Sequence, residues 1–356
     1  MRTSGFTVTV PALLFEPGFY LFDYMPEKGL TKFLVVSEEL LGGAPFIDIR
    51  FEPLAQAQFW VPTTELFALE GSHGMARPGP AFIFHHAFVC STLLARCLNG
   101  SDAFFSLKEP WILRRMADLK RASAGTVSDP GWPTTFSRYV SLLCRNFRAG
   151  RTPVIKATNV ANNLLEDVLE LMPAQRVLYL YSDLESFLIS TLKKSDDTRQ
   201  KMPGLAQAFL KDGDFARRFP RLCEPARWTL LQSCALVWLI SLYNLKCTLD
   251  RFPKAALRTL DAQAFMDDTR GTLAQLSRFF GHEPDASDLA RMTDSSILES
   301  NAKDPSARYN AQQRRLDMSA MASRHGRELA EVRAWIEPAV AELGAPDFLL
   351  AHHLAR

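Results

Sequence analysis

The sequence predicts an α/β protein: a parallel sheet flanked by helices, preceded by a β-rich N-terminal region. Three observations lead there. Short runs rich in Phe, Val and Ile fill residues 1–70. A Gly/Pro-rich segment, Gly71–Pro80, then punctuates the chain. Beyond it, apolar runs without polar alternation take turns with helical periodicity, the pattern of strands covered on both faces. The boundary drawn from this pattern separates residues 1–76 from an α/β domain at 77–356.

In the first region the strand-like runs are Phe6–Val10, Phe19–Tyr24, Lys32–Val36, Phe46–Phe51 and Phe59–Pro62. Alternating Thr7 and Thr9, with Pro11 following, favour a strand over a signal peptide at Phe6–Phe15. In the second region strands are expected at Ala81–His85, Phe104–Leu107, Pro153–Ala157, Val177–Ser182 and Ala256–Leu260. Helices are expected at Ser91–Asn99, Trp111–Lys120, Ala161–Leu171, Glu185–Lys194, Ala262–Phe280 and residues 317–344. Ala122–Thr135, Ser195–Leu205 and Asp212–Arg221 read as long polar loops, suited to walls or lids of a substrate site. Trp228–Cys247 is the longest apolar stretch. Its Gln232, Ser233 and Asn244 fit a buried core helix better than a membrane span.

A formal net charge of +2 over 356 residues gives no global reason to expect nucleic acid as a partner. The six cysteines are scattered, with no Cys-x-x-Cys pair. They read as reduced thiols of a cytoplasmic protein, not as a disulfide frame or zinc site.

The chemistry starts at Phe82–Arg96. An apolar run stops at a short loop, Ser91-Thr92 follows, and a helical stripe of Cys90, Leu93, Leu94, Cys97 and Leu98 begins. A strand feeding a helix N-terminus over Ser-Thr can cradle an anion with free N–H groups and the positive end of the helix dipole. The plainer reading is that Ser91 and Thr92 only cap the helix. No G-x-x-x-x-G-K-[ST] occurs, so nucleotide hydrolysis of that type lacks its lysine. Cys90 and Arg96 have the Cys-x5-Arg spacing of cysteine-dependent phosphatases, but Leu93-Leu94-Ala95 belong to a regular helix rather than a flexible loop.

The order strand, Ser-Thr-Leu-Leu helix, Lys108-Glu109-Pro110, the Val154-Ile155-Lys156 strand, then a strand and Ser190 resembles the PAPS-dependent sulfotransferase family over roughly residues 80–310, as a divergent bacterial-type member. PAPS is 3′-phosphoadenosine 5′-phosphosulfate. The resemblance implies a P-loop-type sheet, PAPS as co-substrate, and sulfuryl transfer to a hydroxyl or amine of a small molecule, glycan or lipid. The family loop, Arg/Lys-Ser-Gly-Ser/Thr-Thr, falls on Phe88, Val89, Cys90, Ser91 and Thr92, so the loop cation and glycine are both absent. Lys156 lies where the family has a lysine; Arg96 and Lys108 are further cations. For the 3′-phosphate the family uses an arginine and a serine eight residues on, here Ser182 and Ser190. Lys193 and Lys194 supply charge there or are simply a basic helix end. Lys303 and Arg308, in Asn301–Tyr309, resemble the family's late basic segment.

A proton acceptor is also needed. Thr158 stands where cytosolic members have a histidine and cannot serve. Glu109 matches the glutamate of tyrosylprotein and some bacterial members; its other reading is to stabilise a helix N-terminus. One of His85 and His86, taken as His86, is expected to donate to the sulfate in place of the loop cation. No metal is implied. Thr158 and Asn159 could orient ligand, and Asp261 is either a cap or a functional group. Loss of the loop Gly and cation keeps open a nucleotide-binding protein without catalysis. The N-terminal region could cover a sheet edge, shape the acceptor pocket or mediate a homodimer. The enzymatic reading requires that Phe88 leave the turn open and that Glu109 face it.

Overall fold

A computed structural model describes residues 2–3, 6–7, 9–73, 79–123, 130–224, 227–301, 304–308 and 311–355. Two sheets organise it. Strands β1 (Phe19–Met25), β2 (Leu30–Val35) and β3 (Ala57–Pro62) form an antiparallel meander. Strands β4 (Ala81–His85), β5 (Phe104–Lys108), β6 (Thr152–Lys156), β7 (Val177–Tyr181) and β8 (Leu257–Asp261) form a parallel sheet in the order β8-β7-β4-β6-β5. The main helices are α1 (Ser91–Asn99), α2 (Trp111–Ala122), α3 (Leu184–Leu192), α4 (Leu230–Arg251) and α5 (Ala311–Leu343).

Strand alternation explains why both faces of the parallel sheet are covered. Phe82, Phe84, Val177 and Tyr179 point to one face and pack with Phe187 of α3 and much of α4. Ala81, Ile83, Leu178 and Leu180 point to the other and pack with Leu94 and Leu98 of α1 and with Phe265 and Leu273. Strand β7, Val177–Tyr181, therefore reads as an unbroken apolar run. The antiparallel meander joins the first of these layers through Leu21, Phe22, Phe33 and Leu34. Helix α4 is the one described helix long and apolar enough to cross a membrane, and it is packed into this core.

β4 is central, its successors lie on one side, and β7 and β8 lie on the other. The chain thus reverses direction beside β4, and a crevice opens outside the strand ends at such a switch point.

Several expected elements differ. Only Phe6–Thr7 of the Phe6–Val10 run is a strand; helix Val10–Phe15 follows, with Thr9 accepting from Ala12 N–H and Pro11 in the first turn. Those terminal signals outweigh the alternation. Phe46–Phe51 is not a strand. Asp48 Oδ1 accepts from Arg50 N–H at 2.9 Å, and Phe51 N–H reaches Asp48 O at 2.8 Å. This side-chain-closed turn wins over the apolar pattern. The Ala262–Phe280 helix is broken at Asp268, whose carboxylate caps a new helix at Gly271 N–H. The Ser195–Leu205 loop holds helices Asp196–Gln200 and Met202–Phe209. Residues 124–129 of the Ala122–Thr135 loop lie outside the described residues, and helix Trp132–Leu143 follows. Helix α5 is kinked at His325.

Arg145 ties the N-terminal region to helix Trp132–Leu143. Its guanidinium donates to the carbonyls of Leu13, Glu16 (3.1 Å), Phe19 (2.6 Å) and Leu142 (2.8 Å), and the residue is buried. Arg145→Met leaves buried carbonyls without donors and is expected to destabilise by about 2–4 kcal/mol. Urea unfolding at an unchanged m-value would show it as a lower midpoint.

Candidate active site

A cavity of about 660 Å³ opens at the switch point, outside the C-terminal ends of β4 and β6. Its floor is the loop from β4 to α1. Phe88, Cys90 and Glu109 are the non-glycine residues with positive φ among those described, at 67°, 60° and 58°, and all three line this cavity. Left-handed backbone costs an L-residue about 1–2 kcal/mol. Its concentration here is a mark of a functional site.

Cys90, at the position of the family glycine, takes the conformation a glycine would adopt freely (φ 60°, ψ 16°). Helical Ser91 follows it. A left-handed residue followed by a right-handed one turns successive N–H groups toward one concavity. Ser91 and Thr92 lie inside the first turn rather than at the cap, and the side chain of the N-cap residue, Cys90, makes no capping hydrogen bond. Asp183, Thr229, Asp261, Asp268 and Asp285 do cap their helices. Phe88 does not plug the turn. Its ring packs 5.8 Å from Phe187, and Lys194 Nζ sits 5.2 Å from its centroid.

Among the described residues five cations line the cavity, Arg50, Lys156, Lys193, Lys194 and Arg314, against one carboxylate, Glu109. Lys156 ends β6 with its side chain 1% exposed. Its Nζ lies 3.4 Å from Thr92 Oγ1, donates to Glu109 Oε1, and sits 5.7 Å from the Phe46 ring centre. Lys193 pairs with Asp317 at 2.7 Å and Arg50 with Asp48. Arg314 donates to Gln263 Oε1; neither it nor Lys194 pairs with a carboxylate among the described residues. Burial, and then repulsion from Lys193, lowers the pKa of Lys194, and an anion beside it would favour its charged form.

Glu109 is set by its neighbours. Its N–H donates to Lys156 O at 2.7 Å. On either side, Ile47 N–H reaches Lys108 O (2.7 Å) and Trp111 N–H reaches Ile47 O (2.9 Å). A segment of the N-terminal region therefore brackets the residue and brings Phe46 and Arg50 to the cavity wall. The carboxylate goes to Lys156 and not to the N-terminus of α2.

The other expected residues divide clearly. Ser190, Lys193, Lys194, Asn159 and His85 line the cavity; Ser182, His86, Thr158, Lys108 and Arg96 do not. His86 is fully buried. Ser182 N–H donates to its Nε2 at 2.7 Å, and its Nδ1 faces Ala87 O at 3.0 Å. Burial pushes this imidazole down to about 4, so it is neutral and committed to the loop's backbone rather than to an anion. Its neighbour His85 faces the cavity instead. Ser182 spends its N–H on His86 and its hydroxyl on Asp183 O. Lys108 Nζ is buried and donates to Gly42 O at 2.7 Å; burial, then Arg96 and Lys156, bring it down to about 7. Arg96 reaches Ser300 Oγ at 3.1 Å, so Cys90 and Arg96 do not converge on one anion as a phosphatase needs. Asp261 is a cap, accepting from Gln263 and Ala264 N–H. Lys303 lies outside the described residues, as does the side chain of Arg308 on strand Asp304–Arg308.

Phe46, Arg50 and Arg314 were not expected. Arg50 carried a readable signal in the Asp48-x-Arg50 turn; Arg314 carried none.

No protein-family model matches this sequence, and no curated protein matches it. In structure the chain is similar to the sulfotransferase domain of the curacin biosynthetic pathway (15% identity, TM-score 0.43, covering 70% of this chain and 99% of that one). It is similar also to a sulfotransferase from Alicyclobacillus acidocaldarius (13%, 0.39, 74% and 97%) and to one from Mycobacterium tuberculosis H37Rv (14%, 0.41, 73% and 80%). Values of this size assign no activity, and the functional reading rests on the cavity.

His86 yields a pH prediction. Its folded pKa lies below the ordinary 6.5, so its contribution is complete above pH 6.5 and is lost as pH falls toward about 4. Over that window folding stability should drop by up to about 1.4 kcal/mol per pH unit from this group. His86→Gln should flatten the slope of urea-derived stability against pH by about one proton. An unchanged slope would assign the dependence to another group.

Proposed function

We propose that this protein is a sulfotransferase that uses PAPS as donor and Glu109 as proton acceptor. One observation carries the reading: a carboxylate and an uncapped, anion-cradling helix N-terminus are joined by a single buried lysine, Lys156, which contacts both Thr92 and Glu109.

The donor set fits the co-substrate. Ser91 and Thr92 offer N–H and hydroxyl donors to a phosphosulfate, with Lys156 beside them. Ser190, Lys193 and Lys194 offer hydroxyl and charge to a second, separate phosphate. When bound, PAPS supplies the sulfuryl group and leaves as adenosine 3′,5′-bisphosphate.

The chain's own residues then have defined tasks. Glu109 Oε1 holds Lys156, leaving Oε2 to take the acceptor's proton. As the acceptor oxygen bonds to sulfur, the sulfur–oxygen bond to phosphate breaks and its electron pair stays on the phosphate oxygen. Lys156 and the α1 N–H groups meet the charge that develops there. Fixed donors in a water-poor floor need no reorganisation during the step, and this compensates for the absent loop cation.

The test is thermal-shift titration with adenosine 3′,5′-bisphosphate, its 2′,5′ isomer and ATP, followed by transfer assays. At a hundredfold excess over Kd the first ligand should add about 2.7 kcal/mol of stability, and the others much less. Glu109→Gln should keep that shift and lower kcat by about 10²–10⁴-fold. Equal shifts for all three nucleotides would sink the PAPS reading. An unaltered rate in Glu109→Gln would remove Glu109 as the base. Binding without transfer to any acceptor would mark a nucleotide-binding protein that has lost catalysis.

A further inference from the structure

A second hollow, of about 430 Å³, adjoins the cavity and is built wholly from residues 39–54. Helix Glu38–Gly43 forms one side and the 3₁₀ turn Glu52–Leu54 the other. Its walls are Leu40, Ala44, Pro45, Phe51 and Leu54. Phe46 and Arg50 line this groove and the cavity alike, so these two side chains form a wall common to both spaces. The Arg50 guanidinium lies 4.5 Å from the Phe46 ring centre. Its Nε and Nη2 donate to Asp48, with Nε 2.9 and 3.0 Å from the two carboxylate oxygens. Ile49 and Leu54 are 57% and 59% exposed, two of the five large hydrophobic side chains so exposed among the described residues.

We infer that the acceptor seats in this groove and that it is an alcohol with a hydrocarbon body, not a sugar. The inference rests on the reading of Glu109 as proton acceptor, and three points support it. The groove shares that wall with the cavity that holds the carboxylate. Its lining removes apolar surface from water, which is favourable for a hydrocarbon chain. A sugar would bring a ring of hydroxyls to a surface whose polar side chains are Glu39 and an Arg50 already engaged, and hydroxyls stripped of water without new partners are costly. Phe46 and Arg50 then form a gate through which only the hydroxyl end passes.

The experiment measures binding of n-butanol, n-hexanol, n-octanol and methyl β-glucoside to the full chain by calorimetry, with and without saturating adenosine 3′,5′-bisphosphate. The alkanol Kd should fall about fourfold per added methylene. The glucoside should not bind over the same concentrations. Leu54→Glu, at an exposed position that leaves the core intact, should raise the n-octanol Kd at least tenfold without changing nucleotide binding; Leu54→Met should restore it. Alkanol binding with this pattern but no nucleotide binding would leave the groove assigned and overturn the donor reading alone. Nucleotide binding with no length dependence, with glucoside preferred, or with Leu54→Glu unaffected overturns the groove. Absence of alkanol binding in both conditions overturns it as well.

Discussion

The ion pair between Lys156 and Glu109 is the constraint on which the site depends. A lysine with its side chain 1% exposed must have a counter-charge or give up its proton. Glu109 supplies that charge from the adjacent strand end. Sheet register fixes the geometry: Lys108 lies opposite Lys156, and the next residue, Glu109, returns its N–H to Lys156 O. A slip of one residue between β5 and β6 would send Lys156 to the opposite face and dissolve the pair. Removing Glu109 leaves the buried Lys156 charge without its partner, typically a loss of about 3–5 kcal/mol. The same lysine faces Thr92, so the pair that holds the floor together also links the anion cradle to the carboxylate.

The floor is strained where it is polar. Phe88 and Cys90 hold left-handed backbone without being glycine, and Glu109 does so beyond the neighbouring strand. The surroundings over-determine each. Phe88 is wedged on Phe187 under Lys194, and His86 takes Ser182 N–H behind the loop. The loop therefore reaches a glycine-like shape through packing rather than through permissive residues. The positive charge beside the loop comes from a strand end (Lys156) and a helix end (Lys194).

Much of this was legible in the sequence. Unbroken apolar runs such as Val177–Tyr181 identified strands buried on both faces, and the β4–α1 turn, Lys156 and Glu109 followed from their places at strand ends. Ser190 follows from the family resemblance, and Lys193 and Lys194 from helical spacing beyond it. Local signals misled where a side chain closes the backbone on itself: Asp48 makes a turn of an alternating segment, and Asp268 divides a periodic one. His85 and His86 show a different limit. Adjacent residues at a strand end point to opposite sides, and composition does not say which side holds the cavity. Ser182 occupies the right position in the chain, yet its polar groups are consumed by the loop behind it. Arg314 comes from a distant helix, and nothing local announces its approach.

The bracket around Glu109 has an engineering consequence. Lys108 and Asn99 both donate to Gly42 O, and Ile47 bonds on each side of Glu109. The stretch that presents Phe46 and Arg50 is thus pinned at both ends to the backbone that aims the carboxylate. Lengthening or exchanging that stretch to admit a different molecule would re-aim the carboxylate in the same motion. Under the proposed function, selectivity and turnover are mechanically geared together, and the parallel sheet excised from its N-terminal partner would not be a transplantable module.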